Sequence, residues 1–304
     1  MHPEHSAVPA VYVQILGGLA NQMFQYAAGR SLADRLRCPL KLDLTGFRTY
    51  ERWPYRLDLF PIEDPVAPAA ELEYLFPRKS PLKRFIEKRI LGRRNQPRNE
   101  GVFQEPHWHF TPDLFAQRPP VWLHGYWQSS KYFDSIRAYL LDTFVMRAPV
   151  SDPSRAVLRR MQDTMSVSVH VRRGDYVRDP HVSRIHGTCS IEYYRRAISL
   201  MRSLHGDVTF FVFSDDPDYV RSRFEFCPGY HLVEGNCDVP VEDLFLMSRC
   251  RHHIVANSSF SWWGAWLNPG SDKTVIAPRR WFSDETLQHT FTYDLYPDGW
   301  ITIA

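Results

Sequence analysis

The sequence predicts an α/β protein of two Rossmann-like domains that face each other across a cleft. Three observations predict it. Short β-branched runs alternate with helix-length segments throughout the second half. The chain opens on the same strand, glycine turn and helix pattern in "VYVQILGGLANQ". Proline and polar residues cluster between the halves in "RAPVSDPSR" (147–155), which sets the division at 1–150 and 151–304.

Each element has its own signal. "VYVQIL" (11–16) is a strand, "GG" a turn, and the helix from about Asn21 carries Phe24, Ala28, Leu32 and Leu36 at a spacing of four. Beyond it the chain is irregular and rich in proline and aromatics ("ERWPYRLDLFP", "EPHWHFTPD", "RPPVWLHGYW"). The basic stretch 78–98 fits an amphipathic helix with Leu82, Phe85, Ile86 and Ile90 on its apolar side. It reads either as a solvated cover for the core or as a dock for an anionic membrane. In the second half, "SVSVHV" (166–171) is a strand, and Ser190 caps a helix over 190–204 with Ile191, Tyr194, Ile198 and Met201 on one face. Strands at 208–213, 231–233, 253–256 and 274–277 follow, with helices near "PDYVRSRF", over 241–249, and from Ser259. The unbroken apolar run "VTFFVF" fits a strand buried on both faces of a parallel sheet.

Composition narrows the function classes. Hydrophobic residues at 44% and aromatics at 14% mark a globular chain. The balance of 37 basic against 34 acidic residues argues against nucleic acid as the main partner. The five cysteines form no CxxC pair and read as reduced thiols. The N-terminus has no basic region followed by a long apolar run, and no stretch approaches the ~18 apolar residues of a membrane span. A cytoplasmic, soluble protein is expected.

In a parallel sheet, ligands gather at the carboxyl ends of the strands. Three polar clusters fall there: "GGLANQ", "HVRRGD" and "ANSSFSWW". Alternation puts Val167, Val169 and Val171 on one face of their strand and Ser168, His170 and Arg172 on the other. An arginine at that position can grip a phosphate in a bidentate fork. Arg173 points elsewhere, into the loop or toward Asp175. Ser258 and Ser259 stand where a helix begins, suited either to a phosphate or to capping. Trp262, Trp263 and Trp266 read as core. Asp216 and Asp218 ("DPD") imitate a metal-binding Asp-x-Asp, but Asp216 before Pro217 is also an ordinary helix start. "HWH" (107–109) and "HH" (252–253) lack a third metal ligand nearby in the chain.

Taken together, "GGLANQMFQYAAGRSLA", "HVRRGDYV", "FVFSDDPDYV" and "DLFLMSRCRHHIVANSSFSWWGAWL" resemble the bacterial α-1,2-fucosyltransferases of glycosyltransferase family eleven. The resemblance covers nearly the whole chain and is weakest over 45–150. It implies a GT-B-like fold, an acceptor-side N-terminal domain, and a GDP-fucose donor held mostly by the C-terminal domain. It also implies no required metal, and transfer of fucose with inversion to the 2-hydroxyl of a terminal galactose in an oligosaccharide or lipid-linked glycan. By the same resemblance Arg172 contacts the donor diphosphate, and His170, Arg173 and Asp175 belong to its motif. Asp243 matches a guanosine-holding position, and Ser258 and Ser259 the polar pair near the phosphates, between Asn257 and Phe260. Asn21 lies on the donor side of the first motif, and Ala20 stands where the family usually has glycine. Asp175, His170 and Glu242 are the candidates to accept the acceptor's proton. Two alternatives remain: a metal-dependent transferase of another nucleotide sugar through Asp216 and Asp218, and a non-catalytic glycan-binding module using the aromatic segments.

Overall fold

The computed structural model describes residues 9–77, 101–234 and 239–304. The 78–98 segment and Cys237 lie outside the described residues. The chain divides into two compact units, Met1–Asp58 with Ile62–Leu140, and Leu59–Pro61 with Leu141–Ala304.

The first unit is built on four parallel strands: β1 (Val11–Gln14), β2 (Leu40–Asp43), β3 (Val102–Gln104) and β4 (Val121–His124), in the order β2-β1-β4-β3. Helix α1 (Leu19–Leu36) crosses from β1 to β2, starting two residues before the expected Asn21. It lies close on the sheet at Gly29, where a Cβ would come within 3.0 Å of Val13. Arg37 ends it in the left-handed conformation (φ 52°), and its N–H returns to the helix. Helix α2 (Ala69–Leu75) packs on the other side, where Leu72, Tyr12, Ala67 and Phe76 form one apolar cluster. Strands β3 and β4 lie in the proline- and aromatic-rich region that read as irregular; each has only three or four residues, too few for a period to register.

Helix α3 (Arg137–Thr143) contains the division between the units. The proline cluster at 147–155 lies inside the second unit instead, because Phe144 packs there on Phe60 (5.1 Å) and Trp263 (5.2 Å). Within that cluster Ser151 caps α4 (Asp152–Gln162), accepting from the Ser154 N–H.

The second unit carries six parallel strands: β5 (Ser166–Val171), β6 (Thr209–Ser214), β7 (His231–Val233), β8 (His252–Ile254), β9 (Val275–Pro278) and β10 (Ile301–Ile303). Their order is β10-β9-β8-β5-β6-β7, the doubly wound Rossmann arrangement. Connecting helices are α5 (Gly174–Arg178), α6 (Pro180–His186), α7 (Ile191–His205), α8 (Pro217–Arg223), α9 (Pro240–Arg249), α10 (Ser259–Trp266) and α11 (Glu285–Phe291). Both sheet faces are buried. Val167, Val169 and Val171 pack with Tyr194, Ile198 and Met201 of α7, while Phe211 and Phe213 pack on the opposite face with Leu246 and Met247 of α9. The three valines share one face, as expected of β5, and Ser190 caps α7 as expected, accepting from the Tyr193 N–H. β10, α4, α5, α6 and α11 were not foreseen.

Candidate functional site

In the second sheet the strand order reverses between β5 and β8, so the loops leaving those strands diverge and open a crevice at their carboxyl ends. The second and third polar motifs both end there. His170 brings them together, its ring 5.9 Å from that of Phe260 in the first turn of α10.

The arginines that follow β5 have separate tasks. Arg172 donates from Nη2 to Asp175 (2.6 Å) and pairs through Nη1 with Asp215 (2.6 Å). Burial opposes its charge, but Asp215 and Asp175 outweigh burial and raise its pKa. Arg173 turns away, binding Asp216 through Nε at 2.9 Å and lying 3.7 Å over the Tyr219 ring. The expected brace between Arg173 and Asp175 is therefore corrected: Asp175 serves Arg172. Asp215, at the end of β6, also accepts the Arg173 N–H at 2.8 Å. A Cβ on Gly174 would sit 2.3 Å from its Oδ2, so only glycine lets this carboxylate so close.

His170 is 5% exposed, and its Nδ1 has no hydrogen-bond partner among the described residues. Burial, opposed by Asp215 and assisted by Arg172, pushes its pKa down to about 4, so the ring is neutral near pH 7.

In the third motif Ser258 is the N-cap of α10, accepting from the Phe260 N–H at 3.4 Å. Ser259 and Phe260 are half-buried in the first turn. Asn257 takes a different place from the one expected. It is 2% exposed, and its amide donates to the carbonyls of His186, Gly187 and Trp281 at 3.0–3.2 Å. It ties loops together behind the site rather than presenting a free amide. The three tryptophans of α10 are core, as expected.

Two acidic residues open α9, and their surroundings differ. Asp243 is half-buried in the first turn. Glu242 is 5% exposed and accepts from Ser151 N, Ser151 Oγ and Ser154 Oγ. Burial raises its pKa, and those hydrogen bonds more than reverse the effect, leaving it below the usual carboxylate range. Glu242 is thus corrected from proton acceptor to anchor of α4. The Asp-x-Asp reading divides similarly: Asp216 caps α8 and holds Arg173, while Asp218 is exposed beside Arg221. Of the paired histidines, His253 lies between Ser168 and Asn268, 2.8 Å from each, and His252 accepts the Thr274 N–H at 3.0 Å.

At the carboxyl edge of the first sheet, α1 wires three loops. Gln22 donates to the carbonyls of Gly17 (2.7 Å) and Pro54 (2.9 Å) and accepts the Arg56 N–H (2.8 Å). Gln25 accepts the Leu16 N–H (2.8 Å) and donates to Gly125 O (3.1 Å). Asn21 accepts from Gln128 at 2.9 Å. Both glutamines are buried, at 0% and 2% exposure. Sequence reasoning missed Gln22, Gln25 and Asp215. Two glutamines three apart on an otherwise apolar helix face, and an acidic pair directly after a buried strand, were the available signals.

The chain matches the model of glycosyl transferase family 11 over residues 109–304. It is 32% identical to an alpha-1,2-colitosyltransferase of Escherichia coli, across 96% of this chain and 98% of that one. It is 31% identical to the Escherichia coli O-antigen biosynthesis glycosyltransferase WbnK, across 96% and 100%. Among solved structures it resembles NodZ alpha-1,6-fucosyltransferase soaked with GDP-fucose, with a TM-score of 0.50, 16% identity, and coverage of 86% and 93%. An Arabidopsis thaliana FUT1 variant in complex with GDP also gives 0.50, at 12% identity and coverage of 88% and 70%. The fold is accordingly GT-B-like, with a parallel sheet in each of two units. The chain is a glycosyltransferase and belongs to glycosyl transferase family 11.

Proposed function

We propose that the protein transfers L-fucose from GDP-fucose to the 2-hydroxyl of a terminal galactose, with inversion and without a metal. One observation carries the reading: Arg172 stands at the reversal point of the Rossmann-type sheet, in the same crevice as the opening turn of α10. Breaking the bond between the anomeric carbon and the diphosphate builds negative charge on the leaving group. The Arg172 guanidinium and the N–H groups of the Ser258–Phe260 turn meet that charge, while Asp243 takes the guanosine. Relatives named galactoside 2-alpha-L-fucosyltransferase and the NodZ structure soaked with GDP-fucose support this choice of donor.

With Glu242 occupied elsewhere, Asp175 and the neutral His170 remain of the expected candidates to take the acceptor's proton. The colitosyltransferase relative favours one second reading, a colitosyl donor in place of fucose.

The test is GDP release and product linkage with each GDP-sugar and a galactose-terminated acceptor, in excess chelator. Arg172→Ala is expected to lower kcat on the order of 100-fold or more, about 3 kcal/mol of transition-state stabilisation. Unchanged turnover in that variant, or activity that vanishes with chelator and returns with manganese, would overturn the proposal.

A further inference from the structure

At the carboxyl edge of the first sheet, where the loops leave β3 and β4, what stands is aromatic. Tyr126 leaves β4 exposed at 38%. Trp108 meets it edge to face, the ring centroids 5.7 Å apart at 80°. Trp53, 37% exposed, lies against the Gly17–Gly18 turn, 3.8 Å from where a Gly18 Cβ would be.

The loop carrying Tyr126 is held more firmly than an exposed tyrosine requires. Glu105 is 7% exposed, and its two carboxylate oxygens accept the successive N–H groups of Tyr126 (2.6 Å) and Trp127 (3.0 Å). Trp127 adopts a left-handed conformation (φ 57°), uncommon for a bulky residue. It is fully buried, stacked on Phe103 and edge-on to Tyr132. Gly125 has no room for a Cβ, which would fall 2.4 Å from the Glu105 Cβ. Burying a carboxylate and straining a tryptophan to keep an aromatic ring at the surface makes sense if that ring receives something.

We infer that Tyr126 and Trp108, with Trp53 as a further wall, form the stacking surface for a pyranose ring of the acceptor glycan, and that Glu105 is the positioning residue that aims Tyr126. The inference rests on the reading above that the acceptor is a glycan. A pyranose presents one face lined by C–H bonds, which matches an aromatic ring, and a rim of hydroxyls. The C–H face is the part of the sugar that such a ring receives.

Two measurements test it. With donor saturating, Tyr126→Ala and Glu105→Gln are expected to raise the acceptor KM at least tenfold with kcat within about threefold, while Tyr126→Phe stays near wild type. Saturation-transfer NMR on a galactose-terminated oligosaccharide, which needs no turnover, is expected to lose its signal in Tyr126→Ala. That arm still applies if GDP-fucose proves not to be the donor, so the two readings fail separately. An unchanged acceptor KM in Tyr126→Ala, an undiminished NMR signal, or displacement of the oligosaccharide from this surface by GDP alone would overturn the assignment.

Discussion

Arg172 and Arg173 are neighbours in sequence with different surroundings, and the difference comes from Asp215. Its carboxylate meets the side chain of one and the backbone of the other, fixing where β5 ends and where the guanidinium points. Asp215→Asn keeps an acceptor for the Arg173 N–H but removes the charge facing Arg172. Because small displacements of a charge-stabilising group are costly, kcat is expected to fall about tenfold. Asp216→Asn, which touches only Arg173 and a helix cap, is expected to cost mainly stability. Steady-state GDP release compares them, and equal rate losses would refute the division of roles. The orientations of His170 and Arg172 were legible in a strand period of two. Asp215 was not, because its pairing with residues more than forty positions earlier depends on the β5–β6 register, which no local pattern encodes. Asn257 sat correctly in its motif and was still misjudged, since the carbonyls that take its amide come from loops at 186–187 and 281.

At the level of elements, the second half was readable because its strands are apolar runs between amphipathic helices. The first half was less so: β3 and β4 are short, and the order around them is carried by side chains that bind backbone. The loop after β4 shows how little freedom such an arrangement leaves. Gly125→Ala would force a Cβ against Glu105 and within 3.0 Å of Trp127. A destabilisation of about 1–3 kcal/mol is expected, read as a lowered urea midpoint. A neutral outcome would mean that the loop adjusts easily and that the glutamate's clamp is loose.

Across the whole molecule, buried ionisable groups set how stability responds to acid. Burial comes first for the three most strongly depressed histidines. It takes His170 and His252 down to about 4 and His253 further, with His205 and Arg251 adding at His252, and Lys273 and His252 at His253. An unfolded histidine binds its proton near pH ~6.5, so between there and pH ~4 the unfolded chain takes up protons that the folded one refuses. Stability should therefore fall as pH drops through that window. Glu105 works in the opposite direction: burial lifts it to about 7, against the pull of the Tyr126 and Trp127 N–H groups, from an ordinary 4.5. The folded chain holds that proton more tightly, and stability is gained as pH falls from 7 toward 4.5. Glu105→Gln should thus make the acid-side loss steeper, by up to roughly 3 kcal/mol across the window. Urea unfolding at several pH values measures it, and parallel wild-type and variant curves would refute it. Phe60 adds a constraint of another kind. It belongs to the second unit although Ile62–Leu140 of the first follow it in the chain, and it packs against Phe144. The two halves of the gene are therefore not interchangeable parts: a hybrid joined at residue 141 would inherit its partner's residue at that position, so recombination between relatives is confined to pairs that agree on this one plug.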